Sequence, residues 1–387
     1  MTLSFSEPEQ IEETSVTKVL AAGLSGQVGR GFAEAVGNAV TDPFAVTAVV
    51  RRRARSNLEQ RSGMITQVVG DVAAELWTFD DTDLEALGEI DVVVNVAGIV
   101  DWTASHADMD RVNYLGAMNG LALARRLSER LGRTVPYLYA STAYVAGTMS
   151  GNIPEDLHPP HEDRTPYELS KWFAEYHLMN EAAKDGYPVL ISRIGGVIGS
   201  SSTRSTTRWS SLYQLVAPLS RGQLRVLPVR PAARVDILPR DVIGEGLVRL
   251  LSDGVRTGFD RWRGGAIVHL CAGEYAPTLE ALFTVLQSKD IHHRYVPPRL
   301  LCMPERTLRT AENVGLKYAR WSREIGNRLY GLRYVSVDRI FERSRLWELT
   351  NGWWPTTSME EIVDIAFDLG HTEMPDSCPE LPMGRFA

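Results

Sequence analysis

The segment from Thr17 to Gly29 restricts the fold of this chain more than any other. Its first six residues, TKVLAA, are apolar and partly β-branched, as a short buried strand is. A glycine motif, GxxGxxG, follows and leads into a helical stretch, RGFAEAVGNAV. Glycines between a strand and a helix let the backbone approach a pyrophosphate, which the N–H groups at the helix N-terminus bind. The order therefore predicts a dinucleotide site rather than a purely structural turn. The residues predicted to line this site are Gly23, Ser25, Gly26, Gln27, Val28 and Gly29.

Apolar runs of strand length alternate with helical stretches along most of the chain. Further strands are predicted at Phe44–Val50, Ile65–Val69, Ile90–Val94, Tyr137–Ala140, Val189–Arg193 and Ala266–Leu270. Helices are predicted at about 108–131, 165–185 and 277–288. This alternation is typical of right-handed βαβ units and a parallel sheet. The sequence therefore predicts an α/β fold: a Rossmann-type doubly wound parallel sheet with a smaller C-terminal substrate-binding region.

The end of the second predicted strand indicates which dinucleotide the site prefers. NAD-specific sites place an acidic residue there, against the ribose hydroxyls. Here the strand ends in Arg51, Arg52 and Arg53, whose guanidinium groups are suited to clamp a 2′-phosphate. We therefore expect NADP(H), and a solvated basic turn is the alternative. Asp71, after the next strand, is expected to accept from the adenine amino group, although aspartate is also common in turns, and Val72 beside it is expected to contact the cofactor.

The composition changes after the predicted strand that ends at Arg193. From Ile194 to Val235 there is no Asp or Glu, and the arginines of this acid-free stretch are Arg204, Arg208, Arg221, Arg225, Arg230 and Arg234. We expect residues 16–200 to form the NADP-binding Rossmann domain, with 235–275 returning to it. Residues 201–234 and 276–372 are expected to form the substrate-binding region, and 373–387 a tail.

Tyr167 and Lys171 are four residues apart in a predicted helix and so lie on one face of it. A neighbouring ammonium, together with an oxidised nicotinamide, favours a phenolate, so we expect the pKa of Tyr167 to be lowered and the phenol to exchange a proton with substrate. Ser141 and Thr142 lie at the end of an upstream strand, and a hydroxyl there is placed to hydrogen-bond a substrate carbonyl. Asn113 is predicted to fix a water that relays protons to Lys171, and a packing role is its alternative.

Composition argues against several other classes of protein. A net charge of -7 opposes nucleic-acid binding, which needs a basic surface. Neither the cysteines, Cys271, Cys302 and Cys378, nor the pair His292-His293 has metal-ligand spacing, so we expect no metal and take Cys271 for a buried strand-end residue. No apolar run approaches the roughly 20 residues of a membrane span. The polar, acidic N-terminus is unlike a secretory signal, so a cytoplasmic protein without a membrane partner is expected.

Taken in order, these motifs resemble the extended short-chain dehydrogenase/reductase superfamily over about residues 17–275. The resemblance implies that Asn95, Ala97 and Gly98 contact the cofactor. It also implies that Thr142 is the catalytic Ser/Thr, that Tyr167 is the proton donor, and that Lys171 is its partner and a cofactor contact.

Within the superfamily the chain looks like the thioester-reductase and fatty-acyl-reductase branch. The segments that carry this likeness are VVNVAGIVDW (93–102), RVNYLGAMNGLALA (111–124), YASTAYVAG (139–147), PYELSKWFAE (166–175) and VDILPRDVI (235–243). In that branch NADPH reduces an acyl thioester, held on coenzyme A or on an acyl or peptidyl carrier protein, to an aldehyde and sometimes onward to the alcohol. The resemblance also implies pairing through the helices at about 108–131 and 165–185 into a homodimer.

The arginines of the acid-free stretch suit more than one substrate. They could bind the phosphates of coenzyme A or phosphopantetheine, dock an acidic carrier protein, or bind a nucleotide sugar, and a solvated loop is the plain alternative. Thioester reduction is the leading hypothesis, followed by an NADP-dependent carbonyl reductase or alcohol dehydrogenase acting on a small metabolite. Nucleotide-sugar epimerisation or dehydration and non-catalytic NADP binding are lesser alternatives. Trp347, Trp353 and Trp354 could line an acyl pocket, although large aromatics are more often core.

Overall fold

The computed structural model describes residues 16–39, 43–51, 65–100, 105–160, 164–206, 226–289, 299–302 and 337–372. Its strands are β1 (Thr17–Ala22), β2 (Phe44–Val50), β3 (Ile65–Val69), β4 (Val92–Asn95), β5 (Tyr137–Thr142), β6 (Gly151–Ile153), β7 (Val189–Ile194), β8 (Gly196–Ile198), β9 (Val226–Val229), β10 (Ile237–Pro239), β11 (Ala266–Leu270), β12 (Arg299–Cys302) and β13 (Arg339–Phe341). Its helices are α1 (Gln27–Asn38), α2 (Asp81–Leu87), α3 (His106–Met109), α4 (Leu115–Leu131), α5 (Pro166–Asp185), α6 (Arg240–Arg256), α7 (Leu279–Lys289), α8 (Ser344–Leu349) and α9 (Met359–Thr372).

Seven parallel strands form the central sheet, in the order β11-β7-β5-β4-β1-β2-β3. The chain runs outward from β1 to β3 and then returns to place β4 on the other side of β1. Where the strand order reverses, the loops after two neighbouring strands diverge and leave a crevice in which α/β sheets bind ligands. The glycine turn follows β1 and Asn95 ends β4, so both lie at this crevice.

Helices cover both faces of the sheet, and this is why its central strands are apolar on both sides, whereas the edge strand β3 is largely exposed. Successive residues of β1 face opposite layers. Val19 belongs to the core that includes Phe32 of α1, whereas Leu20 belongs to the core that includes Leu127 of α4 and Leu178 of α5. The predicted doubly wound α/β class is confirmed, and its predicted strands lie within two residues of their expected bounds.

Helices α1 and α6 touch backbone to backbone through a pair of glycines. A Cβ added at Gly31 would lie 1.9 Å from the carbonyl oxygen of Arg240, and one added at Gly244 would lie 1.9 Å from that of Gly31. This close approach brings Arg240, the first residue of α6, to the N-terminal half of α1. Its guanidinium is buried and pairs with Glu34 of α1 at 2.7 Å.

A buried carboxylate ties the C-terminal segment to the sheet. Glu155 accepts hydrogen bonds from the backbone N–H groups of His269 in β11, at 2.8 Å, and of Arg345 and Leu346 in α8, at 2.5 and 3.3 Å. Short parallel pairing of β13 with β6 adds a second connection. The segment 337–349 is therefore fixed beside the last strand of the central sheet.

A fully buried ion pair lies beneath the same region. Arg193 of β7 and Glu175 of α5 are both inaccessible to solvent, and their closest N–O distance is 2.7 Å. The guanidinium also contacts Nε2 of His158 at 2.8 Å and Nε2 of His269 at 3.3 Å. Burial, assisted by the positive charge of Arg193, lowers the pKa of His158 to about 3 and that of His269 well below its ordinary value. Both imidazoles are consequently neutral at physiological pH.

The division into a Rossmann domain, a substrate-binding region and a tail remains a prediction. Residues 373–387 and the pair His292-His293 lie outside the described residues. Cys271 is fully buried directly after β11, as expected. In the described part of the chain, no helix is long and apolar enough to cross a membrane. The same residues hold no group of three or more His, Cys, Asp or Glu side chains arranged for a metal ion.

Candidate active site

The glycine turn after β1 is shaped by contacts that leave no room for side chains. Gly23 has a φ of +91°, and a Cβ there would lie 2.4 Å from the backbone nitrogen of Ala97. A Cβ at Gly29 would lie 2.2 Å from the Gly23 carbonyl oxygen. Gly26 donates a backbone hydrogen bond to Gly23 at 3.0 Å and caps α1. The turn therefore packs directly against the loop that follows β4.

The N-terminus of α1 has the character of an anion site. Its N-cap residue is Gly26, no side chain caps the first turn, and that turn contains no acidic residue. The N–H groups and the positive end of the helix dipole can therefore bind a pyrophosphate. Ser25 is exposed beside them, and Val28 is half-buried against the core. This arrangement fits the diphosphate of a dinucleotide.

Gln27 makes side-chain contacts that the sequence did not indicate. Its amide nitrogen donates to Oγ1 of Thr206, and its amide oxygen accepts from Arg240 at 3.4 Å. The guanidinium of Arg240 also contacts Ser205 at 3.0 Å. The side chain of Gln27 thus links the glycine turn to the loop after β8, and its contact with the diphosphate remains a prediction.

The loop after β4 is organised by Asn95. Its amide oxygen accepts from the backbone N–H of Ala97 at 3.0 Å, and its amide nitrogen donates to the carbonyl of Gly116 and to the hydroxyl of Tyr137, both at 3.1 Å. Asn95 is buried, so it shapes the loop from within. A Cβ at Gly98 would lie 3.2 Å from Nζ of Lys171. The loop therefore connects the predicted cofactor crevice with the predicted catalytic lysine.

At the opposite end of the crevice the predicted adenosine contacts are only partly described. Arg51 is exposed at the end of β2, and Arg52 lies outside the described residues. Asp71 accepts from the backbone N–H of Ala73 at 3.0 Å, so its carboxylate shapes the turn after β3. The carbonyl of Val72 accepts from Asn119 at 3.1 Å. The adenine contact of Asp71 remains a prediction. Its hydrogen bond to Ala73 shows that Asp71 also stabilises the turn.

Helix α5 places Tyr167 through a well-defined N-terminus. Thr165 is the N-cap and forms a capping box with Glu168, and Pro166 occupies the first helical position. These features fix the start of the helix, so Tyr167 lies in its first turn beside the end of β5. Thr142 ends that strand and accepts from the backbone N–H of Tyr144 at 3.3 Å. The Thr142 side chain also has a hydrogen-bonding interaction with Tyr167.

The pKa of Tyr167 differs from the sequence expectation. Burial raises it to about 12, a hydrogen-bonding interaction with the Thr142 side chain lowers it, and the charge of Glu168 raises it. The prediction that Lys171 lowers the pKa of Tyr167 is therefore wrong for the protein without cofactor: Lys171 is not among the influences on this phenol, and desolvation dominates. A protonated phenol at neutral pH is the form that can donate a proton to substrate.

Lys171 lies one turn further along α5 and is almost completely buried. Nζ donates to the carbonyl oxygen of Ala140 in β5 at 2.9 Å. Burial lowers the pKa of Lys171 to about 7, and the negative charge of Glu175 raises it. The ammonium charge is therefore present below neutral pH and is lost as the pH rises above it.

Asn113 occupies a π-helical turn, Asp110–Tyr114, which interrupts the helix that the sequence predicted as continuous from about 108 to 131. Its side chain accepts from the N–H of Ile99 at 2.9 Å and donates to the Ile99 carbonyl and to Oγ of Ser170, both at 3.1 Å. These contacts agree with the packing alternative, because they join the loop after β4 to α5. The predicted water relay remains a prediction.

Sequence reasoning missed the contact of Tyr139 with Lys171 and did not distinguish Ser141 from Thr142. The ring of Tyr139 lies under Nζ of Lys171, 4.5 Å from centroid to nitrogen. The hydroxyl of Ser141 is buried and has no hydrogen-bonding partner within the described part of the chain. Side chains alternate between the two faces of a strand, so Tyr139 and Ser141 lie on the same side of β5, toward α4 and α5. This alternation is the sequence pattern that could have predicted their position.

The comparisons with known proteins agree with this geometry. The sequence profile of the male sterility protein family, a family of NAD-binding domains, matches residues 45–246, which is just over half of the chain. The chain belongs to this family. The matched segment includes Thr142, Tyr167 and Lys171 and begins after the glycine turn.

Among curated proteins the chain is similar to a linear gramicidin synthase of Brevibacillus parabrevis, with 25% identity over 201 residues. The aligned part covers 50% of the chain but only 4% of that protein. Among solved structures it is similar to the terminal R domain of the myxalamid PKS-NRPS biosynthetic pathway, with a TM-score of 0.69, 22% identity and coverage of 93% of this chain and 92% of that one. A thiolation-reductase di-domain of an archaeal non-ribosomal peptide synthetase gives a TM-score of 0.65 at 16% identity, covering 92% of this chain and 75% of that one. These two likenesses define the fold.

Proposed function

We propose that the chain is an NADP(H)-dependent reductase that converts an acyl thioester to an aldehyde, and in some cases onward to the alcohol. The observation that carries the proposal is the meeting of Thr142, Tyr167 and Lys171 at the carboxyl end of β5, next to the crevice formed by the glycine turn. Membership of an NAD-binding family supports it. Similarity to a terminal reductase domain of a biosynthetic pathway supports the thioester over other carbonyl substrates.

The proposed roles follow from the contacts of each side chain. NADPH supplies the hydride when it is bound. Thr142 and Tyr167 donate hydrogen bonds to the thioester carbonyl oxygen and stabilise the negative charge that develops on it. Tyr167 then gives that oxygen its proton, and the hemithioacetal collapses to aldehyde and free thiol. Lys171 would hold the nicotinamide ribose. Its positive charge would offset the negative charge that Tyr167 carries after giving up its proton.

The preference for NADP(H) over NAD(H) belongs to the same proposal. The exposed guanidinium of Arg51 at the end of β2 supports it, because no acidic residue occupies that position. Removing this charge with Arg51→Ala should weaken binding of NADPH and leave binding of NADH nearly unchanged. Fluorescence titration with each cofactor tests this. An equal loss of affinity for NADPH and for NADH would contradict a 2′-phosphate contact.

A carrier protein is proposed as the bearer of the thioester. Arg204 and Arg230, the described exposed arginines of the acid-free stretch, support it, since carrier proteins with acidic surfaces complement such a patch. Arg208, Arg221 and Arg225 lie outside the described residues. Pairing into a homodimer is proposed through α4 and α5, on the strength of the exposed Leu115, Phe173 and Tyr176.

The test of the function is NADPH oxidation followed at the nicotinamide absorbance with acyl-coenzyme A, acyl-pantetheine and carrier-bound thioesters, and with ketones and aldehydes alongside. Turnover with a thioester, accompanied by free thiol and aldehyde, is the expected result. Turnover with ketones or aldehydes and none with any thioester would replace the proposal by a carbonyl reductase.

A further inference from the structure

Lys171 rests on an aromatic ring. Its Nζ lies 4.5 Å from the ring centroid of Tyr139 and donates to the carbonyl oxygen of Ala140 at 2.9 Å. Tyr139 is fully buried and Lys171 is 4% exposed, so water reaches this contact very little. A cation over the face of an aromatic ring is attracted most strongly where water is excluded.

The ring of Tyr139 is fixed in place by its hydroxyl. That hydroxyl donates to the backbone carbonyl oxygen of Asn113 at 2.9 Å. Asn113 lies in the π-helical turn, a geometry that departs from the regular helical ladder and is frequent at functional sites. Its side chain is held in turn by the backbone of Ile99 and by Ser170. The π-helical turn therefore locks the ring beneath the ammonium.

The surroundings of Lys171 leave its charge in need of support. Burial is the largest influence and disfavours the charged amine. Glu175, one turn along α5, favours the charge but is already paired with Arg193 through three hydrogen-bond contacts. Tyr167 on α5 is neutral, and the loop after β4 and the π-helical turn contribute Gly98 and the amide of Asn113, neither of which titrates. On β5 the ammonium thus has two supports, the carbonyl oxygen of Ala140 at 2.9 Å and the face of the Tyr139 ring at 4.5 Å, and the ring is the one that a side-chain substitution can remove.

We propose that Tyr139 is a positioning residue for Lys171: the face of its buried ring keeps the ammonium charged and directed toward Gly98 and the cofactor crevice. The effect of Tyr139 on catalysis rests on the proposed function. The contact between Tyr139 and Lys171 is present in the protein without ligands and can be tested in that state.

The first test is the titration of Lys171 by NMR of isotope-labelled lysine in the protein alone. The sequence contains five lysines, Lys18, Lys171, Lys184, Lys289 and Lys317, so assignment by Lys171→Ala is simple. Tyr139→Phe keeps the ring and should leave the titration of Lys171 nearly unchanged. Tyr139→Leu removes the ring and should lower the midpoint by about one pH unit.

A matched control comes from a second cation–aromatic pair far from the site. The guanidinium of Arg125 lies 4.4 Å from the ring centroid of Tyr187. Tyr187→Leu should leave the titration of Lys171 unchanged. If Tyr139→Leu and Tyr187→Leu shift the Lys171 titration midpoint equally, the shift reflects a general loss of packing and the proposal is overturned. A Tyr139→Leu variant whose Lys171 midpoint does not shift would overturn it as well.

A variant that preserves volume covers the case in which Tyr139→Leu does not fold. Trifluorophenylalanine at position 139 keeps the ring and weakens its negative face, so the Lys171 midpoint should fall below that of Tyr139→Phe. Equal midpoints in these two variants would overturn the proposal. Because these readouts need no substrate, a wild-type protein inactive toward every thioester would reject the proposed function and leave the Lys171 result standing.

In the active enzyme the same variants give a second readout. Tyr139→Leu should shift the alkaline limb of the kcat profile to lower pH by the amount seen in the titration, and Tyr139→Phe should not. An unmoved limb in Tyr139→Leu, with a shifted Lys171 midpoint, would show that the contact exists without positioning the lysine for catalysis.

Discussion

At the scale of single residues, the pKa values of the two central side chains are shifted in opposite directions by the same cause. Burial raises the pKa of Tyr167 to about 12 and lowers that of Lys171 to about 7, because desolvation disfavours charge in either group. The phenol is therefore a proton donor over the whole physiological range. The lysine is the group whose charge changes near neutrality.

This contrast predicts the pH dependence of turnover. Since the folded pKa of Lys171 lies below its ordinary value, its charge is present below about pH 7 and lost above it. We expect kcat to fall as the pH rises through neutrality, while Tyr167 remains protonated. A pH profile of kcat under saturating NADPH checks this. A rate that stays constant up to about pH 9, near the ordinary range for lysine, would contradict the assignment.

At the scale of elements, glycines bring α1 and α6 into direct contact. A Cβ at Gly31 would meet the Arg240 carbonyl oxygen at 1.9 Å, which is backbone that cannot rotate away. Gly31→Ala should therefore lower the free energy of unfolding by about 3 kcal/mol, near the upper end for overpacking. Chemical denaturation measures the change.

Gly37→Ala in the same helix is the control for this prediction. Gly37 is exposed, so added helix propensity should stabilise the protein by up to about 1 kcal/mol. Equal destabilisation by the two substitutions would mean that helix geometry, and not the contact with α6, is responsible.

The sequence predicted the elements better than their contacts. Strands buried on both faces are largely continuous apolar runs, so β1, β2 and β11 were located from composition alone. The π-helical turn around Asn113 and the left-handed conformations of Leu76 and Trp77 have no comparable signal, because tertiary contacts impose them. Spacing predicted Tyr167 and Lys171, whereas the support from Tyr139 depends on how β5 meets α5.

At the scale of the whole molecule, buried polar groups join distant segments of the chain. Arg193 and Glu175 link β7 to α5, and Glu155 links β11 to α8. The sequence did not predict these pairings, because a single arginine in an apolar strand does not indicate which carboxylate it contacts. Glu155 holds the C-terminal segment against the sheet that carries the site, and the ion pair fixes α5 to that sheet.

Arg193→Met should lower the free energy of unfolding by about 3–5 kcal/mol, because it leaves Glu175 charged and buried without its partner. Removing both charges with Arg193→Met and Glu175→Leu should recover a large part of that loss. Denaturation of the three proteins measures it. If Arg193→Met alone is as stable as the wild type, the ion pair does not contribute to holding β7 and α5 together.

The central claim is that Tyr167 donates the proton in thioester reduction. The most direct measurement is kcat of Tyr167→Phe with a thioester that the wild type reduces, together with its affinity for NADPH. We expect kcat to fall by about 10²–10⁴ with NADPH affinity nearly unchanged, the scale of general acid catalysis. Turnover close to that of the wild type would contradict the account.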